Sequence, residues 1–302
     1  MEQAVIFRVR DDELLGILHP GDQDATRGVL IVVGGPQYRI GSHRQFLLLA
    51  RYLADAGVPV FRFDYRGMGD SDGAMRDFEA VDEDIRAAID TFQANTPGLQ
   101  EVVIWGLCDA ASAALTYAFR DERVAGLVLL NPWVRTEEGL ARAYLKTYYL
   151  QRLVSRDFWG GLMRGRVNPA VSLRSLFGML AKVAGGRRGA VAVADDTEVT
   201  LSGALPERMA AGWKRFVGPI LVILSGDDLT AAEFRDTAAN SPAWQDLLDQ
   251  PRVTMRELPD ANHTFSRREW RDQVAEWTLE WVRGSGKWQV ASLKWQGTPP
   301  IP

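Results

Sequence analysis

Cys108, the only cysteine in the chain, lies in the stretch VVIWGLCDAASAAL, residues 102–115. An apolar run suited to a strand leads into Gly106-Leu107-Cys108-Asp109-Ala110, and small residues suited to close helix packing follow. A side chain on such a strand-to-helix turn is lifted above the sheet in a strained backbone, with the amino end of the new helix beneath it. Gly106, Ala110 and Ala111 supply the small neighbours that this crowding demands. A helix amino end favours negative charge, so the thiol is placed to act as a thiolate nucleophile. The competing role is that of a small buried core residue, the common use of a free cysteine.

A sulfur nucleophile needs a general base and an acid to orient it. His263 is the histidine that follows Cys108, in the polar stretch LPDANHTFSRREW, which reads as a loop between a strand and a helix. Between the two, LVILSGDDLTAAEF ends a strand in Gly226-Asp227-Asp228. Asp228 is preferred to Asp227 as the acid; the other use of this pair is to cap the helix that follows. The candidates thus come in the chain order nucleophile, acid, histidine. An oxyanion needs two backbone amides. Asp109 would supply one and Gly35, in VVGGPQYRIGSHRQF, the other, with Gln37 as the fallback because Pro36 has no amide hydrogen. The turn FRFDYRGMGDSDG lacks the Lys-Ser/Thr pair of a phosphate loop, and its Asp64 is read as a loop stabiliser.

The elements that must position these residues alternate between strand and helix, the mark of parallel strands joined by crossovers. Strands are expected at residues 29–33, 58–63, 102–105, 124–130, 219–224 and 253–258. Helices are expected at 42–56, 78–92, from Cys108 to about Phe119, 231–239 and 268–282. From Val134 to Gly218 the apolar residues keep helical spacings broken by glycines and Pro169, which suggests a helical cap inserted into a core formed by 1–133 and 219–302. The tail from Gly284 to Pro302 carries no readable pattern.

With 302 residues, 46% hydrophobic and 25% charged, the chain has the balance of a globular protein with a substantial core. A net charge of −4 gives no global reason to expect nucleic acid as a partner. Met1–Pro20 mixes charges with single apolar residues, unlike a secretory signal, and no run approaches the ~20 apolar residues of a membrane span. One cysteine cannot form an intrachain disulfide, which suits a reducing compartment. The expected location is therefore the cytoplasm. Neither a metal cluster nor a dinucleotide fingerprint is present, so no cofactor and no metal is expected.

Taken together, these segments resemble the alpha/beta hydrolase superfamily, in which a turn like Asp64–Ser71 is a frequent marker. More narrowly, GGPQYRIGSHRQF, FRFDYRGMGDSDG, GLCDAASAAL and LSGDDLTAAEF are similar to the exosortase A system-associated hydrolases, type 1, bacterial proteins from gene neighbourhoods for exopolysaccharide production and protein sorting. The resemblance implies a mostly parallel sheet with helices on both faces. It places the nucleophile on Cys108, the acid on Asp228 and the base on His263. Two departures stand out: Val33 replaces a histidine common before the glycine pair, and the nucleophile is a thiol, as in dienelactone hydrolases.

The expected chemistry is acyl transfer from an ester or thioester through a covalent intermediate, ending in hydrolysis or in transfer to another acceptor. A catalytically silent binding or scaffold protein is the alternative from a different class. Between Arg135 and Arg188 eleven basic residues stand against three acidic ones, a net +8 in a chain of net −4, interleaved with aromatics such as Tyr148, Phe158 and Trp159. Such a segment could rest on an anionic membrane surface or admit an acyl chain with an anionic head; otherwise it is an ordinary cap with solvated arginines.

Overall fold

The computed structural model describes residues 1–35, 37–135 and 203–284. Runs that are apolar at nearly every position need cover on both faces, and parallel strands between two helical layers receive it. β3 (Arg27–Val32), β4 (Val60–Phe63), β5 (Glu101–Leu107) and β6 (Val124–Leu130) are such runs, and β7 (Ile220–Asp227) joins them until its last two residues emerge into solvent. With β1 (Gln3–Val9), β2 (Asp12–His19) and β8 (Val253–Asn262) they form an eight-stranded sheet in the order β1-β2-β4-β3-β5-β6-β7-β8. β2 alone runs against its neighbours, and every pair from β4 to β8 is parallel.

The β1–β2 hairpin differs from the sequence reading, which assigns no strand to Met1–Pro20. Its signal is alternation rather than a continuous run: Phe7, Val9, Leu14 and Leu18 point into the core while Ile6 stays outside. On the outward face, with Ala4, Ile6, Leu15 and Ile17, Arg8 and Glu13 face each other across the ladder and pair at 2.5 Å. The turn is made by Arg10 at φ 56°.

The crossovers fix which face each helix covers. A right-handed connection that steps toward β1 and one that steps toward β8 leave the sheet on opposite faces. α1 (Gln45–Asp55) joins β3 to β4 in the first direction. α2 (Asp82–Asn95) and α3 (Asp109–Tyr117) step in the second, as does α5 (Leu229–Asn240), which follows α4 (Leu205–Arg215). α6 (Arg268–Arg283) closes the described chain against α1, and α4 lies on α3 with Trp213 fully buried. The two directions diverge between β3 and β5, the switch point at whose carboxyl end such sheets place their ligands. Cys108 and the Gly34-Gly35 turn sit on the loops leaving these two strands.

Two helices begin later than their apolar spacing suggests. Ser42–Arg44 is a single tight turn in which His43 and Arg44 hold left-handed backbones, so α1 starts at Gln45. Phe78–Ala80 is likewise a separate turn, started by the Asp77 side chain on the Glu79 amide, and α2 follows from Asp82. The basic segment read as a cap lies mainly in residues 136–202, and the Trp-bearing tail lies in 285–302; both are outside the described residues. No helix among the described residues is long and apolar enough to cross a membrane.

Candidate active site

Cys108 is held at φ 63° and ψ −124°, a conformation that L-residues rarely adopt. Its neighbours enforce it. The Cys108 amide donates to Leu130 O at 2.9 Å, and the Cys108 carbonyl accepts from Ala111 at 3.1 Å and from Trp133 at 3.2 Å. Gly106 is required by the close passage of α3: a Cβ there would stand 2.7 Å from the Ala110 carbonyl. The sulfur-bearing residue remains partly exposed rather than sealed in the core.

His263 and Asp228 arrive on two other loops at the same end of the sheet. His263 Nδ1 lies 2.9 Å from Asp228 Oδ2. Cys108 lies close enough to the imidazole to favour its protonated form. With Nδ1 given to the carboxylate, Nε2 is the nitrogen left for the sulfur. The structure therefore joins His263 to Asp228 directly and sets Cys108 near the imidazole. Asp227 is exposed at the end of β7 and takes no part in this arrangement. Asp228 fills both uses considered for it, because the oxygen that meets His263 also accepts the Ala231 amide at 3.0 Å and caps α5.

The electrostatics follow from these contacts. The hydrogen bond to Asp228 and then the nearby Cys108 outweigh burial and raise the His263 pKa to about 10. For Asp228, burial pushes upward, but the bonds from His263 and the Ala231 amide prevail and leave the carboxyl below its ordinary range.

The oxyanion candidates meet each other instead of open space. The Gly35 amide donates to Asp109 Oδ2 at 2.8 Å, and the Ala110 amide donates to Oδ1 at 2.9 Å. Gly34 is pressed beneath this carboxylate, where an added Cβ would stand 2.2 Å from Oδ1. Burial raises the Asp109 pKa, and these amide bonds offset only part of that rise. The fallback residue, Gln37, uses its side-chain oxygen to accept the Ser42 amide at 3.0 Å.

Two supports were not assigned from sequence in this form. Asn131, fully buried at the end of β6 with φ 42°, donates to Ser225 Oγ at 2.7 Å and to His263 O at 3.0 Å, and accepts the Ser225 amide at 2.9 Å. An asparagine before a proline after an apolar run was its only mark. Asp64, also fully buried, reaches beyond its own turn: it accepts the Arg39 amide at 2.6 Å and the Asp70 amide at 3.2 Å, and pairs with the Arg39 guanidinium. It thus ties the loop after β3 to the turn after β4.

The profile of the Alpha/beta hydrolase family matches residues 29–277, from the first buried parallel strand through most of α6. The chain belongs to the alpha/beta hydrolase family. Human monoglyceride lipase is 35% identical to this alpha/beta hydrolase over 89 residues, 28% of this chain and 29% of the lipase. Polyketide transferase grgF of Penicillium sp. is 27% identical over 125 residues, 40% of this chain and 41% of the transferase. The chain thus matches less than half the length of either relative. Among solved structures, the Pyrococcus furiosus esterase Pf2001 shares the fold with a TM-score of 0.59 at 15% identity, covering 93% of each chain. Alpha/beta hydrolase GrgF from Penicillium sp. sh18 does so with a TM-score of 0.59 at 16% identity, covering 94% of this alpha/beta hydrolase and 98% of its own chain.

Proposed function

We propose that this alpha/beta hydrolase cleaves an ester or thioester with Cys108 as nucleophile, His263 as general base and acid, and Asp228 as the group that orients the imidazole. One observation carries the reading: a strained, partly exposed cysteine at the strand-to-helix turn lies near a histidine braced at 2.9 Å by a carboxylate from a third loop. In this reading the thiol proton resides on His263. The sulfur attacks the acyl carbon, a C–S bond forms, and the carbonyl π pair moves onto oxygen. Collapse breaks the bond to the leaving alkoxide or thiolate, which takes the proton from His263. Water, deprotonated by His263, then attacks the thioester and frees the acid.

Transfer to an alcohol or amine in place of water is the second reading. The name of a relative, a polyketide transferase, favours it, because a thioester intermediate serves either acceptor. The lipase and esterase names among the similar proteins favour hydrolysis. The setting in exopolysaccharide production and protein sorting rests on the sequence resemblance.

Incubation with p-nitrophenyl acetate and short acyl thioesters, followed by intact-protein and peptide mass spectrometry, tests the nucleophile. The expected result is one acyl adduct on Cys108, absent from Cys108→Ala. No adduct across the panel would overturn the reading and leave a binding or scaffold role.

A further inference from the structure

The Gly35 amide, assigned to the oxyanion, already faces an anion that belongs to the protein. Gly35 and Asp109 are the pair that acyl chemistry at Cys108 would use, and the Gly35 amide is turned to the Asp109 carboxylate, with the Ala110 amide as a second donor. Amides converging in this way make a negatively charged group favourable at that spot. We propose that the Asp109 carboxylate is the resident anion of the oxyanion hole, and that acylation of Cys108 requires it to withdraw. This rests on the proposed role of Cys108.

The physical conflict is direct. A carbonyl attacked by sulfur places a full negative charge on its oxygen, and that oxygen needs the Gly35 amide that Asp109 Oδ2 now holds at 2.8 Å. A second anion beside an unneutralised carboxylate is strongly disfavoured in a site partly removed from water. The carboxylate gives way by taking up a proton, which removes its charge, weakens its hold on the amides and lets it turn toward its exposed side, since the residue is only half-buried. It cannot sink inward, because Gly34 already lies against it.

The ionisable groups around it push toward release. Asp77, ahead of α2, is the charged neighbour acting on Asp109, and it is another carboxylate. Tyr65, after β4, is buried and its hydroxyl is held neutral by burial and by Asp109. Cys108 precedes Asp109 in the chain, and the His263 imidazole is held by Asp228. The device therefore makes acylation stronger on the acid side, where Asp109 gains its proton, and weak where it is ionised.

Two reagents separate this from the chemistry of the sulfur itself. Iodoacetamide alkylates Cys108 by displacing iodide as a C–S bond forms, with no oxyanion at any stage. p-Nitrophenyl acetate acylates the same sulfur through an oxyanion, releasing p-nitrophenolate. The ratio of acylation to alkylation rates on the full chain therefore reads the oxyanion hole alone. Removal of a single oxyanion donor typically costs about 100-fold or more, so freeing one in Asp109→Ala is expected to raise the ratio at least about 10-fold. In the unaltered protein the ratio is expected to climb as pH falls from 8 to 5, and in Asp109→Ala it is expected to stay flat. An Asp109→Ala ratio equal to or below that of the parent, or a parent ratio indifferent to pH, overturns the proposal; the second measurement decides even if the variant fails to fold. Failure of iodoacetamide to label Cys108 would instead remove the nucleophile on which the proposal stands.

Discussion

Asn131 holds the loop of His263 by its backbone: Asn131 Nδ2 donates to the His263 carbonyl at 3.0 Å while the rest of its amide is spent on Ser225. The base is therefore placed from β6 as well as oriented from Asp228. Replacing Asn131 by alanine strands buried polar partners, which costs about 1–3 kcal/mol. It also lets the imidazole drift from the sulfur. Thermal melting should show the lost stability, and the acylation rate of Cys108 should fall further than its alkylation rate.

The strain at Cys108 has a thermodynamic signature. A non-glycine residue in so sparsely populated a conformation costs about 1–3 kcal/mol, and glycine adopts it freely at a cost in unfolded-chain entropy of ~0.5–1 kcal/mol. Cys108→Gly should therefore abolish acylation and yet raise the unfolding free energy by about 1 kcal/mol. Urea denaturation checks it, and a destabilised variant would mean that the turn is not under strain.

The His263–Asp228 pair should stabilise the fold over a defined pH window. His263 is raised to about 10, so its contribution is complete below its unfolded value near 6.5 and fades as pH climbs through about 10. Asp228 is lowered, so its contribution is complete above its unfolded value near 3.8 and fades as pH falls through the folded one. The melting-temperature difference between the parent and Asp228→Asn should be largest between about 4 and 6.5 and shrink on both sides. A difference independent of pH would contradict the pairing.

Asp64 should matter more to the loop bearing Gly35 than its distance in sequence suggests. Removing one partner of a buried ion pair costs about 3–5 kcal/mol, and Asp64→Ala also frees the Arg39 and Asp70 amides. Denaturant unfolding should show a loss of that order. Arg39→Lys, which keeps the charge but not the fork, should lose less.

The central strands were legible because continuous burial writes a continuous apolar run, as Val124–Leu130 does. The first hairpin was not, because one face is wet and its short apolar stretches are broken by Arg8, Asp12, Glu13 and Gly16. The start of α1 was hidden by apolar spacing that says nothing about the left-handed backbones of His43 and Arg44. At the site, residue type and chain order pointed to Cys108, Asp228 and His263, since the chemistry limits the types. Asn131 and the grip of Asp109 on Gly35 depend on which loops the strand order makes neighbours, and no short window of sequence contains that.

A single oxygen of Asp228 both starts α5 and steadies the imidazole. Readiness of the base and order in the first turn of that helix are thus one equilibrium. Each time Thr230 and Ala231 fray into solvent, the histidine is momentarily without its anchor. Amide exchange at those two positions would count the fraction of molecules that are idle at any instant.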